Sequence, residues 1–215
     1  MIHDFSKTNS IFNNFMSEIR DALIQKDSMR YRRNMERVAE IMAYELSKKL
    51  EYSPIAVTTP LGEANMQTIK EQPVLATILR AGLAMHQGLL NYFDKADSAF
   101  VSAYRKHTTH EEFEVHVEYL AAPQLDNRTL IISDPMLATG KSMALVYKAL
   151  IKQGKPSRVI IVSAIATPVA LDFLKSHLPD TTEYYVGAID EELTAQYYIV
   201  PGLGDAGDLA YGEKC

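Results

Sequence analysis

Asp134, Thr139 and Gly140 stand within one short run, Asp134-Pro-Met-Leu-Ala-Thr-Gly-Lys-Ser142, between an apolar stretch and an amphipathic one. The stretch before it, Thr129-Leu-Ile-Ile-Ser133, is short and β-branched and reads as a buried strand. After it, Leu145, Ala149 and Lys152 fall on a different helical face from Val146, Leu150 and Ile151, so the spacing predicts a helix from Met143 to Ile151. Strand, turn and helix put Thr139-Gly140 at the bend. Amides at a helix start have no acceptor within the helix, and the helix dipole makes them a seat for an anion. Asp134, at the strand's carboxyl end, adds a carboxylate beside those donors. Donors for a phosphate next to an acceptor for hydroxyls suit a ligand that carries both, such as a sugar phosphate.

Gly140-Lys141-Ser142 also fits the end of a nucleotide P-loop, G-x-x-x-x-G-K-[ST]. The first glycine of that pattern falls at Pro135, which has no N–H to offer and fixes its own φ. Walker-type nucleotide binding is therefore not expected. Arg80 holds the place that Asp134 holds, after an apolar strand (Val74 to Leu79) and just before a helix (Leu83 to Tyr92). In open α/β sheets that edge is where ligands bind, and an arginine there is costly unless it meets an anion. Arg105-Lys106 ends a further strand, Ala99 to Tyr104. His107 to Glu112 is wholly polar, and Phe113, Val115, Val117 and Tyr119 then alternate with Glu112, Glu114, His116 and Glu118. Strand, polar tip and half-buried strand describe an arm that could close over a reacting ligand. His107, His110 and His116 suit no common metal spacing and read as surface residues. Arg30, Arg32 and Arg33 gather at a helix start; a solvated face is the plain reading, and one of them pointing into an anion site is the alternative.

These groups need a scaffold. Ile11, Phe15, Ile19, Ala22 and Leu23 recur at helical spacing, as do Met35, Val38, Ile41, Met42 and Leu46 within a second helix from Arg30 to Leu50. Ile55 to Thr59 is a candidate strand, followed by a loop or hairpin punctuated by Pro60, Gly62 and Pro73. Arg158 to Ala166 is a continuous apolar run of the kind buried in a parallel sheet, Thr167-Pro168 caps a helix through Leu178, and Glu183 to Ala188 is the last core strand. Strands alternating with helices predict an α/β fold with a doubly wound, mostly parallel sheet. The end, Tyr197 to Gly212, is neither clean helix nor clean strand; its glycines allow close backbone approach, and its Tyr, Ile and Leu residues need burial, so it reads as a folded flap over a small ligand. With 215 residues and 47% hydrophobic content the chain can bury one full core. A net charge of −5 offers nucleic acid no general attraction, the single Cys215 excludes an internal disulfide framework, and no apolar stretch reaches membrane-spanning length. The default expectation is a cytoplasmic protein without nucleic-acid or membrane partners.

The run Asp134 to Ser142 resembles the phosphoribosyl pyrophosphate motif of the type I phosphoribosyltransferase family. Gly202-Leu-Gly-Asp-Ala-Gly-Asp208 resembles the uracil-binding segment of that family's uracil-specific members, and Ile78-Leu-Arg-Ala-Gly82 and Tyr104-Arg105 match their pattern in the same order. The resemblance runs from roughly Arg30 to Gly212. It implies one domain over 1–215, with N-terminal helices, a core sheet carrying a β-arm, and a C-terminal hood over about 189–215. It implies transfer of the 5-phosphoribosyl group from 5-phospho-α-D-ribose 1-diphosphate (the donor) to N1 of uracil, giving UMP and diphosphate. Pro135, Met136, Leu137, Ala138, Thr139, Gly140, Lys141 and Ser142 would then form the donor loop, with Ala138 to Ser142 around the 5′-phosphate. Asp134 would accept the ribose hydroxyls, Arg80 and Arg105 would hold the diphosphate, and Ile199, Gly204, Asp205 and Ala206 would hold uracil. Asp205, also near the donor, would take or relay the N1 proton, making Asp205, Arg105 and Asp134 the catalytic set. Mg²⁺ would arrive with the diphosphate rather than in a metal site of the protein's own, a homo-oligomer is expected, and a nucleotide effector such as GTP is compatible with the resemblance. Lys141 stands where uracil-specific members usually have glycine, and Leu209 where a cation usually follows Asp208. The other readings are a pyrimidine-regulatory RNA-binding protein of the same fold and a phosphoribosyltransferase for another base.

Overall fold

The computed structural model describes residues 1–107 and 113–214, and all of their side chains except those at 103–107 and 113–116. Its central sheet takes its strands in the spatial order β1 (Ile2–Asp4), β10 (Glu183–Ile189), β9 (Arg158–Ala166), β7 (Thr129–Ser133), β4 (Val74–Leu79), β5 (Asp97–His107) and β6 (Phe113–Ala121). Every neighbouring pair is parallel except β5 and β6, which form the antiparallel arm. The sheet is mostly parallel, as the run of buried β-branched residues predicts.

Alternation along each strand sends side chains to two separate cores. Ile131, Ile160 and Val162 pack on one face with α1 (Phe12–Arg20), α2 (Ser28–Ser47) and α3 (Leu83–Tyr92). Leu130, Ile132, Val159 and Ile161 pack on the other with α4 (Lys141–Leu150) and α5 (Pro168–Lys175). Helices on both faces are what a doubly wound sheet requires. Thr167 caps α5 by accepting from the Ala170 amide, with Pro168 at the first helical position, as expected.

Several boundaries differ from the sequence reading. The α1 helix buries Phe12, Met16 and Ile19, ends at Arg20, and leaves Ile11 and Leu23 exposed. The segment after Thr59, left open by the sequence as a loop or a hairpin, is a hairpin: β3 (Gly62–Ile69) pairs antiparallel with β2 (Tyr52–Thr59) in a ribbon apart from the central sheet. Gly62 to Ile69 has too few β-branched residues to register as a strand, and its backbone bonds come wholly from β2. Ile2 to Asp4, given no element from the sequence, adds the edge strand β1, with the Met1 carbonyl also accepting from Tyr184. The helix after the donor-like run begins at Lys141 rather than Met143, and its buried face is Met143, Ala144, Val146, Tyr147 and Leu150.

Candidate active site

A cleft of about 800 Å³ opens at the carboxyl ends of β4 and β7, with the C-terminal segment as its other wall. The chain steps out of the sheet at Asp134-Pro135. Ser133 still pairs with Val162, and the two-residue strand β8 (Met136–Leu137) resumes the ladder against Ile165 and Ala166. The Asp134 amide donates to Val162 and the Pro135 carbonyl accepts from Ile165, so the excursion is held at both ends while Asp134 lines the cleft. Gly140 then opens α4 with φ +74°, and a Cβ there would lie 2.9 Å from the Ala170 carbonyl oxygen and 3.0 Å from Leu174 Cγ. Left-handed backbone and close approach to α5 both demand glycine. Asp27, Thr167 and Asp205 cap α2, α5 and the short helix after Asp205 with side-chain oxygens, whereas α1, α3 and α4 have no side-chain cap. Thr139, Gly140, Ser142 and Met143 line the cleft, so this uncapped start is part of its wall. Amides at a helix start of this kind suit an anion-sized acceptor.

The C-terminal wall is more ordered than the sequence suggested. It holds a small ribbon, β11 (Glu192–Leu193) with β12 (Ile199–Val200), and a short helix, α6 (Ala206–Tyr211). Gly202 (φ +61°) makes the turn between them, where a Cβ would fall on the Ile199 carbonyl oxygen at 2.1 Å. Three arginines, from α1, α2 and the turn after β4, tie this hood down, each donating to a hood carbonyl: Arg20 to Gly202, Arg32 to Ala210 and Arg80 to Gly212. Arg20 also makes a two-point ion pair with buried Asp190, at 2.8 and 2.9 Å, and Asp190 accepts from the Gly202 amide. Removing one partner of a buried pair strands the other charge. Arg20→Ala should therefore lower stability by about 3 kcal/mol, roughly 6–12 °C in a thermal melt. A shift under 2 °C, on the order of 1 kcal/mol or less, would show that water replaces the arginine freely. Arg32 further lies over the Tyr211 ring, while Arg30 pairs with Glu18 and Arg33 with Glu36 and Glu40. None of these three points into the cleft wall, which disposes of the anion-site alternative for them.

Arg80 does line the cleft, its Nη2 reaching Asp208 at 3.1 Å. The Leu79–Arg80 and Val200–Pro201 peptide bonds, one on each side of the cleft, are cis. Asp205 lines the cleft too and caps α6, its Oδ1 accepting from the Gly207 and Asp208 amides at 2.9 and 3.0 Å. A ligand would meet its other oxygen. Beneath the hood, burial and then the Asp205 charge push the Tyr31 phenol well above its ordinary range, so it stays a neutral hydroxyl. That hydroxyl is buried and has no hydrogen-bond partner among the described residues.

Of the residues expected from the sequence, Arg80, Asp134, Met136, Leu137, Ala138, Thr139, Gly140, Ser142, Ile199 and Asp205 meet in this cleft. Pro135, Lys141, Gly204 and Ala206 do not form its wall. Pro135 serves the β8–β9 ladder, Lys141 is exposed, Ala206 is fully buried, and Gly207 takes the place in the wall expected for its neighbours. Leu209 packs against the core cluster shared by the helices and the hood. The Arg105 side chain lies outside the described residues, as do those of His107, His110 and His116 and the terminal Cys215. The sequence reading missed Ser102, Gln196, Tyr197, Tyr198, Glu213 and Lys214 as wall residues. The Tyr197-Tyr198 pair, aromatic and adjacent to Ile199, was the available signal.

Comparison with known proteins adds to this geometry. Residues 6–213 match the sequence model of a family described as uracil phosphoribosyltransferase. A Porphyromonas gingivalis protein named uracil phosphoribosyltransferase is 54% identical, over 96% of this chain and 95% of its own length. A Methanococcus maripaludis protein of the same name is 39% identical over 88% of this chain and 82% of its own. The Aquifex aeolicus AQ2163 protein superposes with a TM-score of 0.87 at 29% identity, covering 99% of this chain and 98% of that one. A Staphylococcus aureus hypoxanthine phosphoribosyltransferase, at 16% identity and TM-score 0.52 over 86% of this chain and 84% of that one, shares the fold.

Proposed function

Because the chain belongs to the uracil phosphoribosyltransferase family, we propose that its cleft joins uracil N1 to the phosphoribosyl group of 5-phospho-α-D-ribose 1-diphosphate, giving UMP and diphosphate in pyrimidine salvage. The observation that carries this reading is the uncapped start of α4 facing the same cleft as the hood around Asp205. One wall supplies donors for a 5′-phosphate and the other edges for a base. The reading takes residues 1–215 as one phosphoribosyltransferase domain.

In this mechanism the amides from Ala138 to Ser142 seat the 5′-phosphate, and Asp134 accepts the ribose hydroxyls at the sheet edge. That grip fixes C1′, and Ile199 with the hood backbone sets uracil N1 in line with it; orientation of this kind supplies much of the rate. As the C1′–O bond breaks, negative charge grows on the leaving diphosphate, where Arg80 and Arg105 meet it. The free oxygen of Asp205 takes the N1 proton. Mg²⁺ would enter with the diphosphate; Asp134 and Asp205, with Glu213, are the carboxylates of the wall that would meet it, and its charge would add to that of the arginines. No group of His, Cys, Asp and Glu side chains suited to holding a metal occurs among the described residues.

The test is diphosphate release with labelled donor against a panel of bases: uracil should be required, and release with hypoxanthine but not uracil would overturn the reading. Asp134→Asn should raise the donor KM about tenfold, the cost of weakening a charged hydrogen-bond acceptor, with the uracil KM within twofold. Equal loss for both substrates would make Asp134 a structural residue only.

No helix among the described residues is long and apolar enough to cross a membrane. We place the enzyme in the cytoplasm, free of nucleic acid, with its net charge of −5 as support. A homo-oligomer is supported by the β2–β3 ribbon, whose Ile55, Val57 and Met66 share one exposed face. An isolated two-stranded ribbon is marginal in water, and a second copy would cover that face. Light scattering should report at least twice 24.1 kDa; a monomer at micromolar concentration would refute this.

A further inference from the structure

We propose that Asp208 is a positioning residue that couples diphosphate binding to uracil binding through Arg80, an inference that rests on Arg80 holding the diphosphate. Three arginines pin the hood, but Arg20 and Arg32 stand outside the cleft wall and Arg80 within it. Arg80 spends only one nitrogen on the hood: Nη2 donates to Asp208 at 3.1 Å and to the Gly212 carbonyl at 3.0 Å. Its Nε is buried without a partner among the described residues. A guanidinium is rigid and planar, so holding Nη2 fixes the direction of every other N–H. Asp208 therefore aims Arg80.

The same contact reaches the base side of the cleft. The Asp208 amide donates to Asp205 Oδ1 at 3.0 Å, and Asp205 lines the cleft at the start of α6. An anion on the open edge of Arg80 immobilises the guanidinium, and through Asp208 it steadies α6 and Asp205. Uracil then meets a hood whose ordering has already been done, and its affinity rises; by linkage, uracil raises the affinity for diphosphate by the same factor.

Calorimetry on the full chain tests this with uracil titrated alone, with saturating inorganic diphosphate, and with ribose 5-phosphate. In the wild type, diphosphate should tighten uracil about fivefold or more, and ribose 5-phosphate, which lacks the group Arg80 meets, should not. In Asp208→Asn, which keeps the side-chain shape, and in Asp208→Ala, the factor should fall to about one. Arg32→Gln, which loosens the hood at Ala210 away from the cleft, should weaken uracil yet keep the factor. A wild type without the factor, an Asp208 pair of variants that retains it, or an Arg32→Gln protein that loses it would each overturn the coupling. An Arg80→Ala protein that binds diphosphate as the wild type does would overturn the donor-site reading as well.

Discussion

Gly140→Ala should cut kcat/KM for the donor by about a hundredfold while leaving a folded protein. The methyl group has nowhere to go. At φ +74° an L-residue is strained by roughly 1–2 kcal/mol, and the new Cβ would sit 2.9 Å from the Ala170 carbonyl oxygen, which belongs to the backbone of α5 and cannot rotate aside. Relief requires the start of α4 to shift away from α5, taking the amides around Thr139 with it. A displacement of about 1 Å at a positioning group is enough to cost on the order of a hundredfold in rate. The uracil side of the cleft does not pass through this turn, so the uracil dissociation constant should stay within threefold. Steady-state kinetics with a parallel thermal melt separate the outcomes: a donor kcat/KM within threefold of wild type would mean that this turn is not the phosphate seat.

How much of this was legible beforehand follows from where the information lies. The core sheet could be read because Thr129 to Ser133 and Arg158 to Ala166 are buried on both faces, so their composition alone declares them. The proposed donor side of the cleft could be placed because its parts are local: strand end, Asp134, glycine turn and helix start follow one another along the chain, and the structure brings them to one cleft. The β2–β3 ribbon could be read only as far as a choice between loop and hairpin, because Gly62 to Ile69 is polar and mostly exposed, and only its register with Tyr52 to Thr59 makes it a strand. The hood was legible as motif but not as structure. A six-residue helix carries no periodicity to detect, and what holds it is long-range: Arg20, Arg32 and Arg80 reach it from positions more than 100 residues away in sequence. For the same reason the cap role of Asp205 and the neutral Tyr31 phenol beneath it had no local signature. Arg30 and Arg33 could not be told from Arg32 by spacing, yet only Arg32 reaches the hood.

Arg80→Ala is expected to be the most damaging substitution in the cleft, lowering kcat/KM for the donor by about a thousandfold, or about 4 kcal/mol of transition-state stabilisation. Two losses combine. The first is electrostatic: a preorganised cation at the carboxyl end of β4 is removed from where, in the proposed mechanism, negative charge grows on the leaving diphosphate. The second is mechanical, because Arg80 also donates to Asp208 and Gly212 and so fixes the hood from the donor side. The fold should survive, since Arg80 is half-buried and Arg20 and Arg32 still hold the hood elsewhere. Arg80→Lys separates the two losses. Lysine restores a charge but not the planar fork, so it cannot serve the hood and an anion with directed N–H groups at once. It should recover about tenfold of the thousandfold, on the order of the 1.4 kcal/mol that a screened point charge contributes, with the uracil KM still raised. Full recovery by lysine would reduce Arg80 to a bulk charge and remove its geometry from the mechanism. An Arg80→Ala enzyme within tenfold of wild type, with an unchanged donor KM, would instead move the burden of the diphosphate to Arg105 on the arm.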